Sequence, residues 1–113
     1  MLIYGYLLMV SDALLILCGA TMFWFSPRLR RNWVLGYGSP RSMINDDAWQ
    51  AGNRFAGTSL AVLSVLAMLL HVGLWSRIET DEMAQTASVG LILGLPFVVM
   101  FLTEKYLARV FRN

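Results

Sequence analysis

FAGTSLAVLSVLAMLLHVGLW, residues 55–75, is a run of 21 residues without Asp, Glu, Lys or Arg. A helix of that length rises about 30 Å at 1.5 Å per residue, which matches the hydrocarbon thickness of a bilayer. Lipid offers the backbone no water, so its N–H and C=O groups must bond internally, and a helix does this within one segment. Residues 55–75 are therefore predicted to span a membrane. Two further long, predominantly apolar runs flank it, Leu2 to Phe25 and Met83 to Leu107.

Composition agrees. The 113-residue chain is 58% hydrophobic and only 14% charged, with a mean hydropathy of +0.60, and so has too little polar surface to cover itself in water. Its charges cluster between the apolar runs, whereas amphipathic helices of a soluble domain would spread them along one face. The expectation is an all-α polytopic membrane protein, a three-helix bundle forming a single domain over 1–113, with spans near 2–25, 48–75 and 83–107 and a loop at 26–47. The first run lacks a basic leader and a small-residue cleavage site before Ser26, so it reads as a retained helix.

Cations set the expected orientation, because Lys and Arg stay near the anionic cytoplasmic leaflet. Arg28, Arg30, Arg31, Arg41 and Arg54 flank the first loop, and Lys105, Arg109 and Arg112 follow the third span, against Arg77 alone in the second loop. The N-terminus is then outside and the C-terminus inside, with anionic headgroups meeting the arginine loop. Aromatic residues mark the same planes: Tyr4, Tyr6 and Trp75 outside, and Trp24, Trp33, Trp49 and Tyr106 inside.

Residues 33–57 read WVLGYGSPRSMINDDAWQAGNRFAG. Gly36 and Gly38 permit a tight turn about Tyr37, and Ser39-Pro40 reads as an N-cap with proline at the first helical position, opening a short interfacial helix or turn. Asn45, Asp46 and Asp47 cap the second span and put acid at its positive dipole end, with Asp47 and Gln50 spaced as a capping box. Asp46, Asp47, Gln50, Asn53 and Arg54 recur at helical intervals as one polar stripe that needs covering. Arg41 and Arg54 are expected to pair with Asp46 and Asp47, with a ligand site as the alternative, or else the loop arginines Arg28, Arg30, Arg31 and Arg41 meet anionic lipid headgroups.

This run resembles the signature of the SdpI/YfhL family of small bacterial membrane proteins. Gly36, Tyr37, Ser39, Pro40, Arg41 and Ser42 match its turn, Asn45, Asp46 and Trp49 its acidic step, and Asn53, Arg54 and Gly57 its end. Gly38 stands where the family pattern carries an arginine, and Gly52 replaces the usual alanine. The resemblance implies a bacterial inner-membrane protein with a binding role, of the immunity type. The family's immunity member is longer; it protects a producing cell against a membrane-active peptide toxin and holds a cytoplasmic repressor at the membrane. A toxin, a cytoplasmic regulator and another membrane subunit are thus the partner classes to consider.

Asp12 lies near the middle of the first span, where an unpaired carboxylate is costly. It should face the bundle, either to bind a proton or ligand or to hydrogen-bond Ser64 or Thr58. His71, the only histidine, reads as solvated near the outer end of its helix, and one imidazole makes no metal site. Cys18 reads as a small packing residue. Gly90 and Gly94, followed by Pro96, and also Gly57 with Ala61, read as close-approach surfaces, chiefly within the bundle, with a homodimer seam as the alternative. Nucleophile, base and oxyanion groups do not converge, so no catalytic site, cofactor or metal is expected. Nucleic-acid binding is not expected either, because the cations sit within a turn or two of lipid.

Overall fold

The computed structural model describes residues 3–25 and 37–111, with side chains from Gly5 onward. Four helices follow one another: α1 (Ile3–Phe25), α2 (Asp46–Gly73), α3 (Trp75–Thr80) and α4 (Glu82–Val110). Three of them, α1, α2 and α4, are long and apolar enough to cross a membrane. They form a narrow bundle of 50 × 24 × 19 Å, with α2 in contact with all the others.

Each long helix turns one stripe inward. On α1 the buried or half-buried residues Gly5, Leu8, Asp12, Leu15, Gly19 and Met22 recur at alternating three- and four-residue steps. On α2 the corresponding residues are Trp49, Asn53, Ala56, Leu60, Ser64, Ala67 and His71, and on α4 they are Ser88, Leu95, Val99, Thr103 and Leu107. Such spacing keeps one face directed at a neighbouring helix, and the remaining faces carry exposed Leu, Val and Phe suited to lipid.

Local chemistry fixes the helix ends. The Asn45 side chain accepts the Ala48 N–H at 2.7 Å and so caps α2, with Asp46 and Asp47 in its first turn. The cap is therefore Asn45, and the Asp47/Gln50 box expected from spacing is replaced by it. At the other end Leu74 leaves helical geometry, and the chain re-enters a single helical run, α3, where only a loop was expected. Asp81 then caps α4 through the Met83 N–H at 3.0 Å, and α4 continues through Pro96.

The tightest helix contact joins α1 to α2. A methyl group added at Gly19 would lie 2.6 Å from the Gly57 carbonyl oxygen and 2.7 Å from the Ala61 nitrogen. One added at Gly57 would lie 2.5 Å from the Gly19 carbonyl oxygen. Only glycine at both positions lets the backbones touch, so the Gly57/Ala61 expectation holds, with Gly19 as its unforeseen counterpart. Gly90 and Gly94 are a correction: among the described residues no atom of a neighbouring element comes within 4 Å of either added methyl. The inward stripe of α4 runs through Leu95 and Val99, which leaves both glycines off that face. Cys18 is likewise exposed and faces outward, since it adjoins the packing position held by Gly19.

Candidate functional site

Most family-like residues converge at one end of the bundle, where the segment from Tyr37 folds over the start of α2 and the end of α4. Asn53 organises it. Its Oδ1 accepts the Tyr37 N–H at 2.6 Å, and its Nδ2 donates to the Tyr37 carbonyl at 3.0 Å and to the Trp49 carbonyl at 2.9 Å. One buried amide thus mimics a strand partner for Tyr37 while staying fastened to its own helix, so none of these groups is left unmet away from water.

Ser39 and Ser42 close the turn reciprocally. The Ser39 hydroxyl accepts the Ser42 N–H at 3.1 Å, and the Ser39 N–H donates to the Ser42 hydroxyl at 2.8 Å. This is capping-box geometry with Pro40 at the first position, as the Ser39-Pro40 reading anticipated. The Met43 N–H reaches the Ser39 carbonyl at 3.0 Å, and the element is a single turn that ends before Asn45.

Glu104 of α4 ties this turn to the third span. Its Oε2 accepts the Tyr37 phenol at 2.5 Å and the Ser39 hydroxyl at 2.9 Å. Burial and the neighbouring Glu104 carboxylate both push the Tyr37 phenol well above its ordinary value of 10.0, so it remains a proton donor through the neutral range. Glu104 was not singled out from sequence; its position one residue from the inward Thr103 was the available signal. Gly52 lies beneath the same cluster, where an added methyl would meet Leu107 Cδ1 at 3.2 Å and Ser42 Cβ and Tyr37 Cδ1 at 3.5 Å. The substitution of glycine for alanine there therefore widens a contact inside the clamp.

The expected polar stripe divides. Trp49 and Asn53 are buried, which corrects the assignment of Trp49 to an interfacial belt, whereas Asp46, Asp47 and Arg54 are exposed. The Arg54 guanidinium lies 5.1 Å from the Phe23 ring centre on α1, a cation–π contact across the helix pair. Hydrogen bonds to neutral groups and to Glu104 hold the turn. Pro40 is exposed, Arg41 half-buried and Ser42 buried, while Gly36, Arg28, Arg30, Arg31, Trp33 and Arg112 lie outside the described residues.

A second polar pair sits toward the opposite end. The Asp12 carboxylate of α1 meets the His71 imidazole of α2, with Oδ2 and Nδ1 2.5 Å apart and both side chains at most 1% exposed. This corrects two expectations. His71 is not solvated, and the partner of Asp12 is neither Ser64 nor Thr58, the latter being exposed. Tyr6 and Trp75 cover this end, with ring centres 5.5 Å apart in an edge-to-face arrangement, and Gly5 gives the Trp75 indole room.

Among the described residues no group of three or more His, Cys, Asp or Glu side chains is placed to hold a metal ion. Comparison with curated proteins and with solved structures gives no match. The scan of family models does give one, and it covers the turn, α2, α3 and most of α4. The model described as the SdpI/YfhL protein family matches residues 28–104, and the chain belongs to that family.

Proposed function

We propose that this protein is a non-catalytic, immunity-type binding protein of the bacterial inner membrane, with its N-terminus outside and its C-terminus in the cytoplasm. Family membership over residues 28–104 carries the reading. The distribution of Lys and Arg supports the orientation, with Arg77 as the single cation of the loop assigned outside. In this arrangement the second loop and the outer helix ends meet a membrane-active peptide toxin. The clamped turn, with Arg41 and the exposed Asp46 and Asp47, faces anionic headgroups and a cytoplasmic regulator. Expression in a sensitive bacterium should raise survival under the toxin. Unchanged killing, with the protein verified in the membrane, would reject the reading.

A second reading is favoured by Gly90 and Gly94, whose faces meet no neighbouring element among the described residues. Small residues at four-residue spacing suit close approach of another helix, so a second copy or a subunit of a larger complex would cover this side of α4. Purification in mild detergent should then bring a stoichiometric partner or a dimer; a clean monomer would dismiss it.

A further inference from the structure

The buried Asp12 and His71 pair takes no part in the clamp, and its chemistry is independent of the immunity reading. Three polar atoms on the inward stripes of α1 and α2 are buried without a partner: Asp12 Oδ1, His71 Nε2 and Ser64 Oγ. Ser64 lies seven residues before His71 on the inward face of α2, and all three side chains are at least 99% buried. Buried polar groups are ordinarily satisfied, so an ionisable pair with Oδ1 and Nε2 both unmet is a feature that needs explaining.

Proton bookkeeping supplies the explanation. With one shared proton the pair is neutral, either as imidazolium beside carboxylate or as imidazole beside carboxylic acid. Both forms leave an Nε2–H donor and an Oδ1 acceptor. Releasing that proton leaves one net negative charge on two fully buried side chains, and adding another leaves one net positive charge. Few other groups compete. On α1 the remaining ionisable side chains from Gly5 onward are Tyr6 and Cys18, both exposed. On α2 from Phe55 to Gly73 His71 stands alone, and on α4 from Met83 to Thr103 there are none. On the packed end, α3 carries exposed Arg77 and half-buried Glu79, whose Oε1 is also buried and unpartnered, while Asp81 caps α4 and Glu82 is exposed.

We propose that Asp12 and His71 form an intramembrane proton-binding site, loaded from the side of the second loop. His71 lies in the last turn of α2, directly before α3, so the distance to water is shorter on that side than through the bundle. The ligand is a proton, and its binding neutralises the contact that joins α1 to α2.

The single histidine makes the test direct. The full chain, labelled with ¹⁵N-histidine and ¹³C-aspartate, is placed in lipid nanodiscs and followed by magnetic resonance from about pH 4 to about pH 10, a range that brackets ordinary imidazole titration. The expected result is one transition of the ring nitrogens, with the Asp12 carboxyl carbon shifting in the same step. Asp12→Asn should abolish that ring transition, and Glu79→Gln should preserve it. An invariant wild-type ring, ring and carboxyl signals moving in separate steps, a wild-type transition persisting in Asp12→Asn, or its loss in Glu79→Gln would each overturn the proposal. Should Asp12→Asn fail to fold, the joint or separate movement of the two wild-type signals decides alone.

Discussion

Asp12 and His71 are 59 positions apart in the chain yet share a 2.5 Å contact, with both side chains buried. The pair therefore fastens α1 to α2 through two fully buried side chains. Replacing either residue alone with alanine should destabilise the fold by about 3–5 kcal/mol, because the survivor is left buried and unpaired. The double replacement should cost well under the sum. Unfolding titrations from mild detergent into denaturing detergent, run as a double-mutant cycle, measure this; additive losses would mean that the two groups do not interact.

Asn53 satisfies both the N–H and the carbonyl of Tyr37. Asn53→Ala should lower stability by about 2–3 kcal/mol through two unmet backbone groups. Asn53→Asp keeps the acceptor but loses the donor, so it should also destabilise. The same unfolding assay reads both, and near-wild-type stability of Asn53→Ala would contradict the clamp.

Tyr37 is held protonated by burial and by Glu104. A phenol raised above its ordinary value stabilises the fold fully below about pH 10, and this contribution fades as pH climbs toward the folded value. Stability should thus be flat through neutrality and decline in alkali, and Tyr37→Phe should remove part of that decline. Tyrosinate absorbance offers a second measurement. Of the four tyrosines, Tyr37 should resist ionisation well above its ordinary value, and its early ionisation would contradict the geometry.

Gly19 and Gly57 touch backbone to backbone, whereas Gly90 and Gly94 meet no neighbouring element among the described residues. Gly57→Val should therefore separate α1 from α2 and destabilise the bundle by more than about 2 kcal/mol, in the manner of overpacking. Gly94→Ala should leave the monomer unchanged or up to about 1 kcal/mol more stable through helix propensity. Equal effects at the two positions, measured by unfolding, would count against the assigned packing.

Much of this fold is legible in the amino-acid order. Span length, the Asn45 to Asp47 cap region and the Ser39-Pro40 turn follow from hydrophobic thickness and capping chemistry, which act locally. The inward stripe of α1 is also present in the spacing of Leu8, Asp12, Leu15 and Gly19. Facing relations are harder to read. His71 looks interfacial from its place near a helix end, although its steps from Leu60, Ser64 and Ala67 put it on the buried face; α3, which extends the protein beyond it, has too short a pattern to announce itself. Glu104 is hidden because its partners, Tyr37 and Ser39, are 67 and 65 residues away. Gly90 and Gly94 mislead for the opposite reason. Glycine spacing shows that a close approach is possible and leaves open which neighbour makes it.

In the proposed topology three spans carry the Asn53-clamped turn to the cytoplasmic face and leave α3 outside. Asp47 and Thr80 are exposed and lie at opposite ends of α2 and its extension, which suits them to single-cysteine labelling in a Cys18→Ser background. A membrane-impermeant thiol reagent applied to intact cells should modify Thr80→Cys and spare Asp47→Cys until the membrane is permeabilised. Labelling of Asp47→Cys with Thr80→Cys protected would contradict the orientation, and labelling of both in intact cells would contradict the span between them.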